Sequence, residues 1–357
     1  MTWLAWRQFR AQAYVVAGFL VLLAVAFALT GPHLVHLYDT TVATCGAHND
    51  CGPVRASFLH QDRFLKASSL LLVIAPALMG IFWGAPLIAR ELESGTYRLA
   101  WSQSVTRTRW ITSKFCLVGL TSMIVAGLLS LMVTWWSSPF DRLQDNTFGN
   151  FDQRDIVPIA YAAFAFALGA VAGLLLRRTL PAMAVTLVGF VAVRFAFTSW
   201  IRERFASSLH TSIPFQAPGS QVSPGQGLPS NPGDWIITSS TVNASGKVIG
   251  HFGGIGPNGD INFRSTANGS TYFVGVGKCP NKIPAPPVRG GGNVSSPPPA
   301  VQHAVQKCVN SFHLRSIVTY QPTSRYWMFQ WYELTIFIVM ALALAGFAWW
   351  WIRRRLS

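Results

Sequence analysis

Six long apolar runs alternate with polar stretches along the chain: residues 13–29, 67–89, 115–136, 156–176, 182–200 and 329–351. A helix needs about 20 apolar residues to cross the hydrocarbon core of a bilayer, so the pattern predicts six transmembrane helices. Pro76 and Pro86 interrupt the second run, which predicts a kinked helix there. Gly169 and Gly173 lie four apart in the fourth and predict a face where another helix comes close. Trp135, Trp136, Tyr326, Trp327, Trp331 and Trp349 to Trp351 mark run ends, as interfacial aromatic belts do. A signal peptide competes for the first run, with Arg7 and Arg10 ahead of it and Ala26-Phe27-Ala28 as a cleavage site. The run exceeds the usual signal core of about 7–15 residues, which favours retention. Residues 1–12 alternate aromatic and basic side chains and predict a short interfacial helix.

The one large polar insert is 201–327. Its first part is Ser-, Pro- and Gly-rich and reads as irregular. A hairpin is expected from 235–242 and 247–251 around Asn243-Ala244-Ser245-Gly246, with short strands at 261–263 and 271–276. A helix is expected over 301–312 and a closing strand over 313–320, with a loose Pro/Gly-rich stretch at 282–299. The expected fold is therefore an α-helical integral membrane protein: six transmembrane helices with a small α+β extracellular domain between spans five and six. The domains run 1–200, 201–327 and 328–357.

Charge supplies the orientation. Only 11% of residues are charged, against about 25% in a soluble domain. The net charge of +15 comes with no nucleic-acid motif, and the arginines cluster at run ends. Six spans put both termini on one side. That side collects twelve Lys/Arg against two Glu, while the two short opposite loops hold five Lys/Arg and seven Asp/Glu. Long loops do not enter this comparison. The basic side is expected in the cytoplasm of a multi-pass plasma-membrane protein, and the insert outside. The insert carries ten Lys/Arg and three Asp/Glu, which suits anionic membrane lipid or cell-wall polymer, or equally a solubilising surface.

Five cysteines follow the same division. Cys45 and Cys51 fall in one outer loop, Cys279 and Cys308 in the insert, and Cys116 in a span. Two disulfides in an oxidising compartment are expected, their connectivity open. Cys45, His48 and Cys51 as a metal site is the weaker alternative, lacking a second ligand cluster. Asp141, Asp145, Asp152 and Asp155 match no calcium loop and read as solvated. Arg194 is the basic residue inside a span, and Glu333 at the outer start of the last span is its best partner. A structural ion pair is the favoured reading; lining of a substrate path is the alternative.

The longest polar segment on the basic side is 90–114. It carries Arg90-Glu91, Glu93-Ser94-Gly95-Thr96, Ser104-Val105-Thr106-Arg107 and Lys114. A short helix from Arg90, a break at Ser94-Gly95 and a second amphipathic piece are expected, Gly95 suiting a helix C-terminus. These features resemble the loop between spans two and three of ABC transporter permease subunits of the type-2 export class, above all actinobacterial ones. Tyr320-Gln321-Pro322, Arg325-Tyr326-Trp327 and Phe329-Gln330-Trp331 are similar to the end of their external domain. The resemblance implies a transport subunit that is not itself an enzyme. It implies a separate ATPase subunit that binds ATP and Mg and docks on Arg90, Glu91, Glu93, Gly95, Thr96 and Arg107. It also implies a homodimer, or a heterodimer with a second permease. The sequence has no P-loop, no His-Glu-x-x-His and no Gly-x-Ser-x-Gly, so a membrane hydrolase lacks a nucleophile and base. A polytopic receptor or scaffold sensing through the insert is the non-transport rival. The aromatic-rich spans suit hydrophobic or amphipathic cargo.

Overall fold

The computed structural model describes residues 2–37, 39–40, 63–95, 107–144, 148–214, 231, 233–255, 260–267, 270–278, 307 and 310–355. Within them lie α1 (Thr2–Leu37), α2 (Arg63–Met79), α3 (Ala85–Ser94), α4 (Arg107–Gln144), α5 (Val157–Leu176), α6 (Thr179–Ala196) and α7 (Tyr326–Arg355). Among the described residues, six stretches are long and apolar enough to cross a membrane: Phe9–His33, Leu71–Ser94, Thr112–Ser138, Val157–Leu176, Thr179–Arg204 and Thr323–Arg354. They coincide with the six predicted runs. The chain divides into two compact units, one holding the spans and the other comprising Asp145–Gly149 and Ala206–Arg325.

The helical unit is built around α5. Its sequence, VPIAYAAFAFALGAVAGLLL, is apolar on every side, and such a helix belongs in an interior. Ala160, Ala162, Ala165, Ala170 and Leu174 have no exposed surface. α1, by contrast, is largely uncovered, with Val15, Leu22 and Leu29 exposed. It leans on α4 through Phe27 stacked on Trp136, whose indole N–H donates to Thr30 Oγ1 at 2.8 Å. The interfacial segment predicted for residues 1–12 is not separate; it runs unbroken into α1.

The second span departs from a simple kink. α2 passes through Pro76, and the chain then widens into a π turn at Gly80–Gly84 before α3 resumes. Pro86 has no N–H to donate and its ring crowds the carbonyl four residues back. The π turn lies just ahead of it, and Ala85 N–H bonds to Gly80 O across the wider ring. The turn is pressed onto α5. A Cβ on Gly80 would meet Ala165 O at 2.6 Å, and one on Gly84 would meet Phe166 O at 2.5 Å. On the facing helix, a Cβ on Gly169 would run into the carbonyl of Gly80 and come 2.8 Å from Ala85 N, and one on Gly173 into the carbonyl of Ala85. The small face predicted on span four thus has its counterpart four residues apart on span two, and the backbones touch.

The second unit is a six-stranded sheet of β1 (Leu209–Pro214), β2 (Trp235–Val242), β3 (Val248–Ile255), β4 (Asp260–Ala267), β5 (Ser270–Lys278) and β6 (Arg315–Gln321), in the order β1-β6-β2-β3-β4-β5. All pairings are antiparallel. The predicted hairpin is β2–β3. Asn243 Oδ1 accepts from the N–H groups of Ser245 (3.1 Å) and Lys247 (2.9 Å), and Gly246 takes φ 78°. β1 corrects the expectation of an irregular opening: it pairs with β6, Leu209 opposite Tyr320. Asp234 Oδ1 accepts from the N–H (2.8 Å) and hydroxyl (2.9 Å) of Thr323, closing the chain just past β6. Most of the helix expected at 301–312 lies outside the described residues.

Candidate functional site

The 90–114 segment begins inside a helix. No new helix starts at Arg90; α3 carries span two through it to Ser94, since nothing between Pro86 and Gly95 breaks the turn. Gly95 then takes φ 72°, the left-handed conformation that ends a helix without a Cβ penalty. Arg107 is the first residue of α4, so the chain is helical again before the apolar run starts. Thr96 and the stretch to Thr106 lie outside the described residues, as do Cys45, Cys51, Cys279 and Cys308.

The two carboxylates of α3 are engaged within the chain. Glu91 pairs with the ammonium of Lys114, and that lysine is almost fully buried. The pair ties the end of span two to the start of span three. Glu93 Oε2 accepts from the N–H of Thr179 at 3.1 Å and from its hydroxyl at 2.8 Å. Thr179 is the first residue of α6, whose first turn contains no acidic residue. Helix N-termini leave N–H groups unpaired and favour negative charge, and Glu93 supplies both an acceptor and a charge from another helix. Arg90 stays exposed on the same turn. One short stretch of α3 is thereby braced against the first turns of spans three and five.

A second cluster of charge lies at the other end of these helices. Arg194 Nη1 is 3.4 Å from Glu333 Oε1, and its Nη2 is 3.2 Å from Asp152 Oδ2. The predicted partners are therefore neighbours, inside a larger group. Arg202 donates from Nε to Glu333 Oε2 at 2.9 Å and from Nη2 to Glu333 Oε1 at 3.0 Å, and also bridges to Asp152. The hydroxyl of Tyr161 sits 2.5 Å from Glu333 Oε1 and 3.2 Å from Asp152 Oδ1. Arg194 lies 3.7 Å over the Tyr161 ring, and Arg202 lies 4.4 Å over that of Phe151. Glu333 has no exposed surface. Burial would push the Asp152 carboxyl up, but the guanidinium groups of Arg202 and Arg194 outweigh it and hold the carboxyl below its ordinary value. Two carboxylates and two guanidinium groups balance, and the cluster ties spans four, five and six together.

Asp152 and Asp155 correct the reading of a solvated acidic loop. Asp155 takes φ 60°, and its carboxylate accepts from the Tyr326 hydroxyl at 2.5 Å. Gln330 accepts from Val157 N–H at 3.2 Å and donates to Phe151 O at 3.1 Å, which satisfies the start of α5. The loop carboxylates are drawn in because the span ends bring unpaired cations and hydroxyls to them. Arg202 escaped the sequence reading because it falls in the insert by hydropathy. Its signal was the spacing of eight from Arg194, which puts both on roughly one side of a continuing helix. No group of three or more His, Cys, Asp or Glu suited to a metal occurs among the described residues.

No curated protein and no solved structure matches the chain. Residues 17–202, which take in most of span one, spans two to four, nearly all of span five and the whole 90–114 segment, match the model of a family described as ABC-2 membrane transporter related. This match takes in more than half of the chain, and with six apolar helices arranged as above the protein belongs to the ABC-2 membrane transporter related family.

Proposed function

We propose that this chain is the permease of an ATP-driven exporter, forming the translocation path and taking its drive from a separate ATPase subunit docked on the 90–114 segment. The observation that carries the reading is the double brace of α3: Glu91 to Lys114 on span three, and Glu93 to the N-terminus of span five. A push on Arg90, Gly95, Thr96 or Arg107 then reaches three spans at once. Glu91 and Glu93 position the docking segment, with Arg90 as an outward charge. The basic side faces the cytoplasm by the loop-charge rule, and the sheet unit lies outside, an oxidising side that suits two disulfides among Cys45, Cys51, Cys279 and Cys308. Two permease copies, or this chain with a homologue, complete the path. ATP and Mg belong to the partner.

The test is affinity purification of the full chain from its native membrane in mild detergent. A P-loop ATPase is expected in stoichiometric amount, and Glu93→Lys is expected to lose it or to leave its ATP hydrolysis unresponsive to the permease. A preparation that carries no ATPase across several detergents would overturn the reading.

A further inference from the structure

Two cavities in the helical unit share a wall. The first, of about 200 Å³, is lined by Gln12, Trp83, Arg90, Glu91, Lys114 and Val118. The second, of about 470 Å³, is bounded by apolar side chains of spans one, two and three, among them Leu20, Leu71, Leu78, Trp83 and Leu129. Phe82 and Trp83 line both. The two lie end to end across these rings, the first polar and positively biased and the second apolar, and we take them together as one groove. Arg90 and Lys114 outnumber Glu91 by one charge. Leu78 and Phe82 are about half exposed, and Phe19 on the facing helix is 44% exposed, so the apolar part opens sideways, where hydrocarbon surrounds a membrane protein.

Its length identifies the occupant. Lys114 at the polar end and Leu129 at the far end stand fifteen residues apart on α4, about 22 Å at the helical rise. Half of a bilayer with its headgroups is about 20–22 Å. The groove thus spans one leaflet, with its cations at headgroup depth and its apolar walls along the acyl chain. We propose that it binds one anionic phospholipid of the surrounding leaflet, with its phosphate on the exposed Arg90 beside the Glu91–Lys114 pair and an acyl chain between spans one, two and three. A zwitterionic lipid brings no net charge to the excess cation. The proposal does not rest on the ATPase: the occupied groove touches Arg90 and Glu91 whether or not a partner is docked.

The experiment uses the full chain alone, in nanodiscs containing a photoreactive phosphatidylglycerol or, in parallel, a photoreactive phosphatidylcholine, with labelled peptides mapped by mass spectrometry. Labelling by the anionic probe is expected in the peptides of spans one to three. Arg90→Gln is expected to reduce it by about five-fold, near the effect of one basic residue at a charged surface. Leu78→Trp, which narrows the apolar body and leaves the charges in place, is expected to reduce it as well. Equal labelling by both probes, or labelling spread over all spans, would overturn the proposal. Since no ATPase is present, failure here leaves the exporter reading standing.

Discussion

Glu333 is a carboxylate with no exposed surface, set between two guanidinium groups and a phenol. Replacing it with Gln leaves Arg194 and Arg202 with one carboxylate between them. Removing one partner of a buried ion pair costs about 3–5 kcal/mol in soluble proteins, and a clear drop in the thermal midpoint of the detergent-solubilised chain is expected. The double replacement Glu333→Gln with Arg202→Gln should lie closer to the parent than the two single losses sum to, because the residues share one network. Strict additivity would show that the two do not act together. At this scale, Arg194 and Glu333 were legible because a charge inside an apolar run is costly and demands a partner. Asp152 was not, because a carboxylate in a polar loop looks the same in sequence whether water or an arginine receives it.

The helices were legible as elements from apolar length alone. Their irregularities were not. The π turn at Gly80–Gly84 depends on Pro86 and on the face of α5 against it, and only the assembled pair shows that Gly80, Gly84, Gly169 and Gly173 meet. β1 was hidden for a related reason: its strand partner β6 lies more than a hundred residues on, and a lone six-residue stretch carries little periodicity. Gly169→Ala tests the helix contact. Its methyl group would press on the backbone of span two, at Gly80 O and Ala85 N, and overpacking of this kind costs about 1–3 kcal/mol. The expected outcome is a lower melting temperature and weaker retention of any bound partner, because α3 follows the π turn directly. The equivalent change at Gly346, where a Cβ meets nothing within 4 Å, should be silent in both assays. A silent Gly169→Ala would mean the helices are not held in backbone contact.

On the scale of the whole molecule, the chain is two units, and the ends of the sheet unit's main segment, Ala206–Arg325, lie together. Leu209 near the start of the sheet unit faces Tyr320 near its finish, and β6 joins β1 to β2. Apart from Asp145–Gly149, the unit is one continuous segment with neighbouring ends, as self-contained domains commonly are. Residues 206–325, secreted alone, are expected to give a strand-rich circular dichroism spectrum and a protease-resistant core. A spectrum without strand would show that the sheet needs the spans to form.

The same placement of the two ends has a mechanical side. The start of β1 and the end of β6 are neighbours across antiparallel strands. Tension between them would therefore open the ladder from that edge, one pair of residues after another, where tension along the strands would load every pair together. Peeling of this kind yields to little force. Separation of its own two attachment points therefore loads the sheet at its β1–β6 pairing, and β1, the outermost strand, is the one that peels away.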